Sequence, residues 1–345
     1  MGARQGGKGR AKPGVAKRAK AGTPKGPARA GGTDAVIEGA YALFEDGRFE
    51  EGLVALRAAT KKHPNDVMMA ETFAASLAEF GEQEEAIAAL KRAAMLSPNE
   101  GYEKFMYLGQ LLDDGEAATM CTRQGLAILE AQARAGDEDA QGQHVSACCA
   151  LAEQILGTAD EMGDETGAQV EELINRARAS DPASPEPLQL LASLKNEQGK
   201  SDEALAVLKE SMEMWRRGAM HREGDDSHEA EEFQNEFDVS FEFRFETAKL
   251  LLELDTSTET AQEILCELLR ERDDNVDVWY MLAYAHHGAL EFDTALEHLE
   301  HGEELVRQRG GDESVLENFE ELRAAIVESK ATVESGKGAA DMDAD

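Results

Sequence analysis

The chain has 345 residues, 42% of them hydrophobic, with 70 acidic against 35 basic residues. Residues 1–33 hold nine Lys or Arg and no acid, so positions 34–345 carry 26 basic and 70 acidic residues, a net charge of −44. Such a body repels nucleic-acid phosphates and anionic membrane and favours a basic polypeptide, although acidity also serves solubility. No apolar run approaches the ~18 residues of a membrane span, and the 145–156 stretch is interrupted by Ser146, Glu153 and Gln154. Cys121, Cys148, Cys149 and Cys266 show no C-x-x-C spacing, which predicts free thiols in a reducing compartment. The N-terminus lacks the apolar core of a secretory leader, so the expectation is a soluble intracellular protein.

Residues 1–33 are mostly Gly, Ala, Pro, Lys and Arg. With almost no large apolar side chain to offset the entropy of folding, they predict a disordered basic tail. Lys17-Arg18-Ala19-Lys20 is similar to a short nuclear import signal. A solubilising or autoinhibitory tail is a second reading of the segment. A transit peptide is a third, against which the absence of serine counts.

The body from 34 to 330 reads as a repeat. Pro64 and Pro98 lie 34 residues apart, and matching offsets pair Ala40 with Ala74, Leu43 with Leu77, Gly52 with Ala86, Leu56 with Leu90 and Ala59 with Ala93. This alternation of small and large residues is the tetratricopeptide pattern. Two antiparallel helices approach closely only where one offers Gly or Ala to the other's bulky side chain. A bulky residue at Ala86 or Ala93 would cost ~1–3 kcal/mol by overpacking.

Further along, 102–130 keeps Tyr102, Gly109 and Leu112 in its first helix but loses the template in its second. Residues 138–180 predict a long helix pair, and 185–218 matches again at Ala192, Ala204 and Leu208. Next comes an acidic insertion, 217–238, expected as a loop or an overlong helix. The 241–272 unit has Ala248 and Ala261 with one extra residue between its helices, and 276–309 matches at Trp279, Leu282, Ala283, Ala295 and Leu299. Residues 331–345 are expected to form an acidic C-terminal tail. The predicted fold is all-α, a right-handed superhelical solenoid of six or seven tetratricopeptide-like hairpins.

Catalytic patterns are missing. The sequence shows no phosphate loop, nucleophile elbow or H-E-x-x-H motif. His298 and His301, three apart beside Glu297, have a spacing that suits a metal on one helix face but lack a third ligand. His286 and His287 point to different faces of their helix and are weaker still. The expectation is a binding protein, not an enzyme, with no cofactor and no metal.

In a tetratricopeptide solenoid the first helices line the concave side. Projecting the template places Asp34, Tyr41, Phe44, Glu45, Glu71, Glu79, Asp113, Asp114, Glu186, Glu197, Glu246, Glu253, Asp277, Tyr280 and Tyr284 there, with Lys249 as the basic exception. The expected groove is acidic, with aromatic side chains between the carboxylates. One exposed ion pair contributes only ~0–1 kcal/mol, so the fitting ligand is a long, extended, basic protein segment engaging many at once. An acidic tail, gripped elsewhere by basic tetratricopeptide grooves, would be repelled at Glu71 and Glu246.

Four stretches carry a family resemblance. Asn99-Glu-Gly-Tyr-Glu-Lys-Phe-Met-Tyr-Leu-Gly-Gln-Leu111 resembles the signature of the dedicated assembly chaperones of ribosomal protein L-four. Ser184-Pro-Glu-Pro-Leu-Gln-Leu-Leu-Ala-Ser193, Phe245-Glu-Thr-Ala-Lys-Leu-Leu-Leu-Glu-Leu254 and Arg272-Asp-Asp-Asn-Val-Asp-Val-Trp-Tyr-Met-Leu282 follow in the family's order. The resemblance spans roughly 99–300, and the basic N-terminal segment lies outside it. It implies a tetratricopeptide chaperone that captures newly made L-four in the cytoplasm and shields its long basic loop from aggregation. The client is then delivered to the nucleus for assembly into the large ribosomal subunit. The alternative is a general tetratricopeptide scaffold in another multiprotein complex. The sequence leaves the oligomeric state open.

Overall fold

The computed structural model describes residues 33–81, 83–159, 163–220, 239–254, 258–311 and 313–342, with side chains described outside 217–220 and 336–342. The described residues form fifteen α-helices and no strand. The expected basic tail, up to residue 32, and most of the expected insertion, 221–238, lie outside them. The chain divides into two compact units, Met1–Leu190 and Leu191–Asp345.

The first unit holds α1 (Thr33–Glu45), α2 (Phe49–Lys62), α3 (Val67–Phe80), α4 (Gln83–Leu96), α5 (Glu103–Leu111), α6 (Gly115–Arg134), α7 (Glu138–Thr158) and α8 (Asp164–Ser180). Side-chain oxygens of Asp66, Asp114 and Asp137 accept from backbone N–H groups in the first turns of α3, α6 and α7, as good N-caps do. Helices pack on their sequence neighbours as antiparallel hairpins. Ala40, Leu56, Ala74, Ala86, Leu90 and Ala93 are all buried where the repeat puts them.

Two close approaches show why small residues are needed. A Cβ at Gly52 would lie 2.3 Å from Cε1 of Phe44, so α2 accepts the aromatic ring of α1 only because glycine stands opposite it. Phe44 is therefore core, not groove, contrary to the projection from sequence. In the 102–130 hairpin the template changes while its logic persists. The turn from α5 to α6 is short, and α6 presents Ala118, Thr122 and Gly125 to α5, all buried. A Cβ at Gly109 would meet Thr122 Oγ1 at 2.0 Å.

The boundary at Leu190 and Leu191 falls within the residues of α9 (Glu186–Glu197). The second unit continues with α10 (Ser201–Met220), α11 (Phe241–Glu253), α12 (Thr258–Glu271), α13 (Val276–Gly288), α14 (Phe292–Gln308) and α15 (Glu313–Met342). Ser240 and Asn275 cap α11 and α13. Its core includes Ala192, Ala204, Leu208, Ala248, Leu251, Ala261, Leu265 and Leu282. Phe319 and Ile326 of α15 close a second cluster with Ala295 and Leu299 of α14. Buried Glu303 of α14 accepts from Arg307 (2.8 Å) and from Arg323 of α15 (2.9 and 3.1 Å). Helix α15 runs on through 331–342, within the segment expected as the C-terminal tail.

Candidate client-binding faces

Most first-unit carboxylates from the projection are held by neighbours. Lys104, only 2% exposed, donates to Glu71 Oε1 at 2.6 Å and to the Gly101 carbonyl at 2.9 Å. It also donates to the Glu100 carbonyl. Gly101 has φ +65°, a left-handed conformation that glycine adopts without penalty. The Asn99–Leu111 stretch thus builds a turn whose carbonyls share one ammonium with Glu71.

Glu79 accepts the Tyr107 hydroxyl at 3.0 Å, and Asp114 caps α6. Glu186 receives the Ser146 hydroxyl at 3.3 Å, and burial pushes its carboxyl above the usual range. It lies near Cys149, whose thiol is pushed up by burial and then by Glu186 and Glu153. Cys148 and Cys149 are buried free thiols, and Cys121 and Cys266 are free and partly covered. Tyr41 is half-buried and meets Phe44 edge-on, with ring centroids 6.2 Å apart. Asp34, Glu45 and Asp113 are exposed.

The second unit collects its projected residues differently. Asn196, at the end of α9 beside Glu197, donates to Glu253 Oε2 of α11 at 3.3 Å. Two turns earlier on α11, Glu246 accepts from Lys249 at 2.7 and 3.0 Å. Lys249 also lies 5.8 Å from the centre of the Phe245 ring. The Glu253 carboxyl is pushed up, first by burial and then by Glu197 and Glu246, with Lys249 and Asn196 opposing. Glu197 and Glu246 thus both act on Glu253, and Lys249 opposes them.

Helix α13 packs against α11 and supplies Tyr280 and Tyr284. The Tyr280 hydroxyl is pushed up by burial, then by Glu321 of α15 and by Tyr284. Its ring meets Phe319 edge-on at 5.2 Å, and Tyr284 is 47% exposed. Asp277 is exposed at the start of α13. Glu321 escapes the projection because α15 lies beyond the last template match, and Asn196 because it is neither acidic nor aromatic.

Among the described residues no group of three metal ligands forms. His298 and His301, the pair with metal-like spacing, instead pack against Trp279 at 5.5 and 5.1 Å between ring centroids.

No protein-family model matches the chain. A curated protein of Schizosaccharomyces pombe, named probable assembly chaperone of rpl4, is 29% identical over 188 residues, 54% of this chain and 52% of the relative. The chain is a relative of a protein named for the assembly of rpl4. The matched region spans about half of that relative's length.

Two solved structures share the fold. The assembly chaperone of RpL4, residues 1–338, superposes with a TM-score of 0.62 at 22% identity, covering 77% of this chain and 99% of that one. A tetratricopeptide repeat protein of Parabacteroides merdae gives a TM-score of 0.58 at 13% identity, covering 86% of this chain and 98% of that one. The fold class is the all-α tetratricopeptide solenoid expected from the 34-residue repeat.

Proposed function

We propose that this protein is an assembly chaperone of ribosomal protein rpl4. The observation that carries the reading is the kinship over 188 residues with a protein of that name. The second unit supports it, because Glu197 and Glu246 raise the proton affinity of Glu253, and α13 of the same unit carries Tyr280 and the half-exposed Tyr284. A carboxylate whose proton affinity is raised by its neighbours gains most from an incoming lysine or arginine, which relieves the repulsion as it pairs. Exposed tyrosine adds a rigid apolar anchor.

The proposed ligand is an extended basic segment of newly made rpl4. Binding shields it from aggregation and from premature contact with RNA, from the cytoplasm to the nucleus. Ribosomal RNA then takes the segment over, since its phosphates are denser than these carboxylates. The role is one of binding, with no catalytic step or cofactor. Co-expression of rpl4 with the full chain tests this directly: rpl4 stays soluble and co-purifies at low salt. An rpl4 that remains insoluble and gives no complex at low salt contradicts the proposal.

A further inference from the structure

Helix α13 has two working faces. Tyr280 and Tyr284 lie on one. Trp279 and His286, two turns apart on another, pack against α14. His298 of α14 sits between them, stacked on His286 with centroids 5.0 Å apart and the rings 28° from parallel. Nδ1 of His298 is buried and has no hydrogen-bond partner. The indole N–H of Trp279 donates elsewhere, to the Asp273 carbonyl at 2.7 Å.

The charges that act on His298 disfavour a cation there. The titratable groups acting on it are two further imidazoles, His286 from α13 and His301 from its own helix. The carboxylate of the cluster, Glu291 in the α13–α14 turn, lies 2.6 Å from His286 Nδ1 and 3.4 Å from Gln262 Nε2 of α12. Glu297, next to His298 in sequence, is exposed. A protonated imidazole is a donor at both nitrogens. The buried Nδ1 of His298 would then hold an N–H with no acceptor, a costly state inside a protein.

We infer that this imidazole–indole cluster is a proton-sensitive latch between α13 and α14, closed while His298 is neutral and opened when it takes up a proton. Burial, then His286 and His301, push the His298 pKa down to about 4. In the unfolded chain a histidine titrates near ~6.5. The unfolded state therefore binds more protons between these values. The latch's contribution to stability is complete above ~6.5 and is lost as pH falls towards 4. Opening disturbs the helix that displays Tyr280 and Tyr284, a consequence for client binding that rests on the function proposed above. The latch itself needs no client.

Histidine-selective NMR of the full-length protein tests the latch, with the His298 signal identified as the one missing from His298→Gln. That signal should titrate below pH 5 while the chain stays folded. Thermal melts of wild type and His298→Phe supply the second readout. Wild type should lose several degrees relative to the variant between pH 7.5 and 5.5. A His298 midpoint near 6.5, or a wild-type-to-variant difference that does not change with pH, overturns the inference. Should neither variant fold, the wild-type spectrum alone decides: if none of the eight histidines titrates below pH 5, there is no latch.

Discussion

Two sets of carboxylates, one in each unit, stand in different circumstances. In the first, Glu71 meets buried Lys104, Glu79 meets a tyrosine hydroxyl, and Asp114 closes a helix end. In the second, burial and the charges of Glu197 and Glu246 raise the proton affinity of Glu253, against the opposing Lys249 that pairs with Glu246. A carboxylate that is already paired is part of the fold and gains little from a ligand. One that is repelled by its neighbours is available to a cation. Net charge alone, at −35 for the chain, conceals this division.

The largest effect should come from breaking the first kind. Lys104→Met leaves Glu71 and the turn carbonyls at Glu100 and Gly101 without their donor. Removing one partner of a buried pair costs about 3–5 kcal/mol. Because Glu71 is part-exposed, we expect roughly 2–4 kcal/mol, read as a lower urea midpoint with unchanged m-value. An unchanged midpoint would make the turn incidental to the first unit.

A smaller effect, with opposite signs in the two units, sharpens the comparison. The folded-state pKa of Glu253 is raised, so its ionised form opposes folding, and stability from this site grows as pH falls through that pKa. Glu253→Gln should therefore stabilise by up to about 0.5 kcal/mol at pH 7.5, after discounting for exposure, and by less near pH 5. In the first unit the Arg57 guanidinium holds Glu85 below its usual range through a bidentate pair. Its contribution is present above the ordinary carboxylate pKa and fades in acid, so Glu85→Gln should destabilise at pH 7.5 and become neutral at low pH. Melts across that range check both signs.

The sequence revealed the fold more fully than the site, for a physical reason. Ala40, Ala74, Ala86 and Ala93 mark contacts between neighbouring helices, and steric fit at such contacts repeats every 34 residues. Pairing partners follow no such period. Glu71 finds Lys104 across 33 residues, and Tyr280 feels Glu321 across 41. Phe44 escapes the template, which registers the small residue at Gly52 but not the ring that fills its vacancy. His286 and His298 come together only when α13 and α14 are packed.

The central claim is that the second unit's crowded carboxylates, rather than the paired ones of the first, receive a basic client. It is tested by the affinity of purified rpl4 for two charge-reversed proteins, Glu197→Lys/Glu253→Lys and Glu79→Lys/Glu85→Lys, at two salt concentrations. With helicity confirmed by circular dichroism, the second-unit pair should weaken binding at least tenfold and flatten its salt dependence. The first-unit pair should change it less than threefold. Equal losses from both, or a loss confined to the first unit, would contradict the account.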